Sequence, residues 1–137
     1  MQKIAVIVTR GELNHLIQVV TLLMAATVVN AAVRVLFRDE AVLSVTKTGA
    51  KRLRLSPTLA RRARRVRHQL QQHGMRDLST MLQTVKGHGD VRLHACNSSL
   101  SLYGIKRSEL LPEIDGVRGL TAFVVEDIAT ADRVLTF

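Results

Sequence analysis

The chain alternates short β-branched runs with longer segments of helical periodicity, and this alternation limits the possible folds more than any other feature. Lys3–Val8 and Ala32–Phe37 are apolar, Val-rich runs with the length of buried strands. Residues 13–29, between them, repeat polar side chains every three or four positions, the period of a helix. Strands that alternate with helices form a parallel sheet covered on both faces. We therefore predict a single-domain α/β fold with an open, mostly parallel sheet and helices on both faces.

The rest of the chain continues this alternation. After the second strand we predict a short helix over residues 40–45 capped by Asp39, a basic loop at 46–56, a helix from Ser56 and Pro57 to about Gly74 and a helix from Asp77 to about Gly87. A strand Val91–Ala95 and a helix from Cys96 to Gly104 follow. The chain then continues with a loop that contains Pro112 and Gly116, a helix over about 120–128 and a strand over 133–137. No internal repeat is present, so we expect one domain over residues 1–137 with a basic loop and helix at about 47–73. The first helix is apolar around more of its circumference than one sheet face requires, which leaves deep burial or packing against a second subunit as explanations.

Composition excludes several classes of protein. The single cysteine, Cys96, rules out an intrachain disulfide. The N-terminus lacks the pattern of a signal peptide, and the longest apolar region, residues 16–29, contains polar side chains and is short for a bilayer span. We therefore expect a cytoplasmic protein. The net charge of +9 indicates an anionic ligand or an acidic partner without choosing between them.

Cys96 is the principal candidate for chemistry. It stands where the strand over residues 91–95 passes into a helix that Gly104 ends. A thiol in the first turn of a helix faces free backbone N–H groups, which favour the thiolate. The alternative is that Cys96 is an inert, small core residue.

Three segments are expected to meet near Cys96, because the carboxyl ends of parallel strands share one edge of the sheet. They are Thr9–Glu12, Arg38–Asp39 and Cys96–Ser99. The residues predicted to support a thiolate or bind a substrate are Arg10, Arg38, Asn97, Ser98 and Ser99. Surface charge is the alternative role for the arginines, and local helix capping is the alternative for the serines. Glu12 or Asp39 would raise the Cys96 pKa if either lay close, and a basic loop covering the thiol would have to move.

Several of these segments resemble the DsrE/DsrF-like family. The stretch His94-Ala-Cys96-Asn-Ser-Ser-Leu-Ser-Leu-Tyr-Gly104 is similar to the family's cysteine segment, and Ile4–Glu12, Val35–Glu40 and Ala131–Phe137 also look like family segments. Residues 47–85 carry little of the resemblance. It implies a YchN-like α/β fold, close to flavodoxin-like sheets, that assembles into homo-oligomers.

The resemblance also implies a function in sulfur relay. Relatives take up sulfane sulfur on a cysteine as a persulfide and pass it to another carrier protein. Only Cys96 matches the acceptor position, and without a second cysteine an intramolecular disulfide cannot form. This favours simple persulfide carriage, with a sulfur donor and an acceptor carrier as partners, or a protein that has lost the chemistry. Whether the chain is an enzyme, a sulfurtransferase, is left open.

A second candidate function rests on a basic helix. On a helix, Arg61, Arg62, Arg64, Arg65 and His68 share a broad face, which we call the basic face. The chain has few aromatic side chains for stacking on nucleic-acid bases and no nucleic-acid-binding motif. The face is therefore a solvated surface, a docking site for an acidic protein, or, least favoured, a phosphate-binding surface for nucleic acid.

No cofactor or metal site is predicted. His94 and Cys96 would share a strand face only if residue 96 is still extended, and His88 is the one further histidine close to them in sequence. The turn at Thr9–Glu12 has a single glycine and no phosphate-binding pattern. No histidine is placed by sequence to act as a base for Cys96, so a hydrolase is unsupported.

Overall fold

The computed structural model describes residues 2–137, which build one sheet of five parallel strands in the order β4-β3-β2-β1-β5. The strands are β1 Lys3–Val8, β2 Ala32–Phe37, β3 Val91–Cys96, β4 Gly116–Arg118 and β5 Arg133–Thr136. The helices are α1 Leu13–Val28, α2 Ala41–Ser44, α3 Ala63–Gln72, α4 Leu78–His88, α5 Asn97–Tyr103 and α6 Leu120–Phe123, which continues as a π-helical turn over Val124–Ile128. The predicted α/β fold with helices on both faces is confirmed.

The larger core lies between the sheet and the helices α1 and α4. Alternate residues of the central strands, such as Val6, Val35 and Leu93, are fully buried there. Leu16 and Leu82 come from α1 and α4 and belong to the same cluster. Helix α4 packs along α1, so the chain itself covers part of the wide apolar surface of its first helix.

The opposite face of the sheet carries a much smaller core under α6. Its buried members are Ala5, Leu36, Cys96 and Phe123, with Leu120 packed against them. Arg118 of β4 lies beside Cys96, so this face is polar at its β4 side. The small core, and not the larger one, therefore contains the cysteine.

Three local predictions are wrong. Strand β4 was expected to be loop, because its three residues are too few to show an alternating pattern. Asp39 does not cap α2; its backbone has φ +51° and Glu40 takes the preceding position. Ser56 stands at the predicted N-cap position with Pro57 after it, but its side chain makes no capping hydrogen bond. The segment that follows is a 3₁₀ helix over Pro57–Arg62, so the α-helix begins only at Ala63 and not at Pro57 as predicted.

Other local predictions are confirmed. The carboxylate of Asp77 accepts a hydrogen bond from the Ser79 N–H at 3.1 Å and so caps α4. Gly104 ends α5 with φ +65°, a left-handed conformation that glycine adopts without steric cost. Within residues 2–137, none of the helices combines the length and the apolar character needed to cross a bilayer.

Candidate functional site

Cys96 lies at the carboxyl end of β3, beside β4, and the helices that follow these two strands pack on opposite faces of the sheet. It is the last residue of β3 and the residue that precedes α5. Helix α5 packs on the α1 side through Leu100, whereas α6, which follows β4, covers the other side. Adjacent strands whose following helices leave to opposite faces open a crevice at their carboxyl ends, and ligands of open α/β sheets bind in such crevices.

The thiol itself is enclosed. Cys96 is 0% exposed and packs with Ala5, Leu36 and Phe123, and Leu120 lies against the same cluster. The helix that packs over the thiol is therefore α6, and the basic loop at 46–56 contributes no residue to this cluster.

The polar contacts of Cys96 come from the first turn of α5. Sγ lies 3.2 Å from Ser98 Oγ, and Ser98 is itself exposed. Burial raises the pKa of the thiol, but the Ser98 hydroxyl, together with the N–H and hydroxyl groups of Ser99, outweighs it, so the pKa of Cys96 lies below its usual value. The net direction is downward although Glu12 and Asp39 stand on the same edge of the sheet.

Ser99 links this turn to the next strand end. Its hydroxyl accepts a hydrogen bond from the Asp39 N–H at 2.9 Å, and its side chain is buried. This bond holds the Asp39 turn, whose positive φ brings it against α5. Sequence reasoning named Ser99 but missed this role. The signal was present, because Asp tolerates the left-handed conformation better than most residues.

The two arginines predicted to support the thiolate are engaged elsewhere. An Arg10 guanidinium nitrogen lies 3.1 Å from Glu12 Oε1, and Arg38 Nε lies 3.8 Å from Asp39 Oδ2. Within residues 2–137 neither donates a hydrogen bond to Sγ. Asn97 is exposed, and its amide lies beside Gly119, where an added Cβ would come within 3.7 Å of Oδ1. The sheet thus gathers the predicted residues at one edge, but only the two serines reach the thiol.

Cavities at this edge lie away from the thiol. Two of them, of about 560 and 490 Å³, share Glu12, Glu40 and Tyr103 in their walls. Cys96 lines neither. The thiol is fully buried and separate from these two cavities.

Two charged or titratable residues lie beside Cys96, and sequence reasoning missed the second. His94, which the sequence offered only as a possible metal ligand, shares a strand face with Cys96, because β3 stays extended through residue 96. Burial and the nearby Arg118 guanidinium lower the His94 pKa, and among the described residues its Nδ1 has no hydrogen-bond partner. Arg118 is the register partner of Cys96 and forms ion pairs with Glu126 and Asp127. It was missed because β4 was missed.

No metal centre is built here: residues 2–137 contain no group of three or more His, Cys, Asp or Glu side chains arranged to hold a metal ion. The arginines of the basic face lie away from the thiol, on the 3₁₀ segment and on α3. All four are exposed: Arg61, Arg62, Arg64 and Arg65. None of them forms a salt bridge with any carboxylate of residues 2–137.

Comparison with known proteins agrees with the fold. No curated protein matches the chain. A solved structure, that of the protein of unknown function MTH1491 from Methanobacterium thermoautotrophicum, superposes with a TM-score of 0.69 at 12% identity and covers 98% of this chain and 99% of its own. At that identity it shows the fold alone. A family model, described as the DsrE/DsrF-like family, matches residues 2–137. The chain therefore belongs to the DsrE/DsrF-like family, which is generally associated with sulfur relay.

Proposed function

We propose that the protein is a sulfur carrier that accepts sulfane sulfur on Cys96 as a persulfide and passes it to a partner carrier. The observation that supports this most is the placement of Sγ at the first turn of α5, 3.2 Å from the Ser98 hydroxyl, and the pKa of the thiol lies below its usual value in spite of its burial. Membership of a family associated with sulfur relay supports the same function. The sulfur donor and the acceptor carrier are the partners that this proposal requires.

The chemistry needs only one thiol. The Cys96 thiolate attacks the outer sulfur of a donor persulfide R–S–SH, the donor S–S bond breaks, and the donor leaves as the thiol R–SH once protons redistribute. Cys96 then carries Cys–S–SH. A thiolate of the acceptor attacks the outer sulfur in turn, and Cys96 leaves as a thiolate. Sulfane sulfur changes carrier without external oxidant, reductant or second cysteine in this chain.

The hydroxyl of Ser98 stabilises the leaving group in the second step. At 3.2 Å from Sγ it interacts most strongly with the anionic form, which is the form released when the acceptor takes the sulfur. The buried Ala5, Leu36 and Phe123 around the thiol exclude water. A dry site protects a persulfide from side reactions with solvent components.

Intact mass spectrometry tests the proposal. The reduced protein is incubated with polysulfide and, separately, with thiosulfate, beside a Cys96→Ser variant. We expect the mass to rise by whole sulfur atoms, to return on reduction, and to stay constant in the variant. An unmodified protein whose Cys96 still reacts with iodoacetamide would contradict carriage from these donors.

We also propose that the protein forms a homo-oligomer through the α6 side. Val124 and Val125 are 43% and 64% exposed on the π-helical turn, and Val134, the neighbour of Ala5 on β5, is 45% exposed. A second subunit that packs on these three valines would remove their apolar surface from water. Sedimentation equilibrium tests this, and a monomer at every protein concentration would contradict it.

A further inference from the structure

The net charge of the chain is concentrated in one segment. Residues 41–76 contain ten of the 20 Lys and Arg residues and none of the 11 Asp and Glu residues, so the rest of the chain has a net charge of −1. This segment includes α2, the basic loop, the 3₁₀ segment and α3. A field of one sign over one part of a surface attracts and orients acidic partners.

Helix α3 is held loosely on the body. None of its residues is buried. Its apolar side, formed by Leu59 of the 3₁₀ segment with Ala63, Val66 and Leu70, is only half-buried. Arg67 donates a hydrogen bond to the Leu53 carbonyl at 3.1 Å and so joins the helix to the loop before it. The helix therefore keeps apolar surface available beside its arginines.

A groove on α3 combines both kinds of surface. It has a volume of about 620 Å³ and is lined by residues on one side of the 3₁₀ segment and α3, namely Arg62, Arg65, Val66, Gln69 and Leu70. Arg61 and Arg64 lie on the same segment but do not line the groove. The guanidinium groups of Arg62 and Arg65 thus lie beside a short apolar surface formed by Val66 and Leu70.

We infer that this groove, which we call the α3 groove, docks an acidic protein whose carboxylates pair with Arg62 and Arg65 while an apolar side chain packs on Val66 and Leu70. Protein interfaces combine an apolar centre with arginines, which bind carboxylates through two parallel hydrogen bonds. A surface for nucleic acid is polar and charged throughout, and the groove offers no aromatic ring for base stacking. An anionic membrane fits poorly, because the apolar side of α3 is a short, half-buried strip without the broad apolar face that interfacial helices insert into lipid.

Fluorescence anisotropy with defined probes tests this inference. The probes are a labelled peptide of Glu-Glu-Leu repeats, the same peptide with Ser in place of Leu, and a labelled DNA duplex. We expect the Leu peptide to bind at least about tenfold more tightly than the Ser peptide, because the apolar side chain is buried in the groove. The two arginine pairs provide matched variants that remove equal charge from the same segment.

The Arg62→Gln/Arg65→Gln variant should lose about tenfold in affinity for the Leu peptide, and Arg61→Gln/Arg64→Gln no more than about threefold. Equal losses in both variants, or equal binding of the Leu and Ser peptides, would show a general charge effect and overturn the inference. Tighter binding of the duplex than of the Leu peptide would assign the surface to nucleic acid instead. Cys96→Ser should bind the peptide as the parent does, so this test fails or succeeds independently of sulfur carriage.

Discussion

At the scale of single residues, Cys96 shows how two neighbouring serines reverse the effect of burial. Removing a thiol from water disfavours its anion. Here the first turn of α5 supplies the hydroxyl of Ser98 and the N–H and hydroxyl groups of Ser99, and together they lower the pKa of the thiol. The same turn is fixed to the Asp39 loop by the buried Ser99 side chain, so the contacts are built into the fold.

Replacing Ser98 with Ala should raise the Cys96 pKa, because the hydroxyl 3.2 Å from Sγ is the largest of the contributions that lower it. A raised pKa leaves less thiolate at neutral pH, so alkylation there should slow by at least about threefold, and the rate should recover as pH rises. The measurement is the iodoacetamide rate at Cys96 as a function of pH. Ser101→Ala, a change at an exposed serine of the same helix, is the control. An unchanged pH profile in Ser98→Ala would show that the hydroxyl does not support the thiolate.

At the scale of elements, sequence patterns were sufficient to locate a helix or strand wherever the segment was long and its apolar residues were periodic. The strands β1, β2 and β3 and the helices α1 and α4 were all predicted near their observed positions. Strand β4 was not, because a three-residue strand has no detectable period and follows turn-forming residues such as Pro112. The same limit applies to the candidate site. The contact of Cys96 with Ser98 could be predicted because the two residues are neighbours in the chain. The packing of α6 over the thiol could not, because it depends on contacts between residues far apart in the sequence.

The Asp115 carboxylate adds to the backbone ladder that holds strand β4 in the sheet. Asp115 Oδ2 accepts the Leu93 N–H at 2.8 Å, its own N–H donates to the Leu93 carbonyl at 2.7 Å, and Lys86 forms an ion pair with it. Asp115→Ala leaves the buried Leu93 N–H without its partner, which should cost about 1–3 kcal/mol of unfolding free energy. Urea denaturation measures this loss, with Glu40→Ala at an exposed position as the control. A loss no larger than the control's would show that β4 is held by its backbone ladder alone.

We expect the start of α6 to control access to Cys96. Leu120 packs against the Cys96 cluster and is only half-buried, so trimming it should open a path to Sγ at modest cost in stability. We expect Leu120→Ala to react faster with iodoacetamide at every pH and the midpoint of the pH profile to move down, because burial is the contribution that raises the Cys96 pKa. Ile114→Ala, a half-buried residue that packs on the larger core, is the matched control. A raised midpoint, or equal acceleration in both variants, would show that Leu120 does not act as a cover.

At the scale of the whole molecule, the net charge of +9 comes from one strongly basic segment, and the remainder of the α/β domain is nearly neutral. Outside residues 41–76 the net charge is −1, and inside them no acidic residue offsets the ten basic ones. Such charge serves solubility and association, and the folded state is destabilised by the repulsion among the arginines.

This repulsion predicts how stability depends on salt. The exposed arginines of the basic face have no acidic partners within residues 2–137, so added salt should screen them and raise the melting temperature by a few degrees. Arg62→Gln/Arg65→Gln should reduce that rise, because two of the repelling charges are gone. Lys106→Gln/Arg107→Gln removes equal charge from an exposed position beside Glu109, outside the basic segment, and should keep the rise. Thermal unfolding at low and moderate NaCl measures both variants. A melting temperature that falls with salt in the parent would mean that attraction between charges outweighs repulsion, and the basic segment would then contribute to stability as well as to binding.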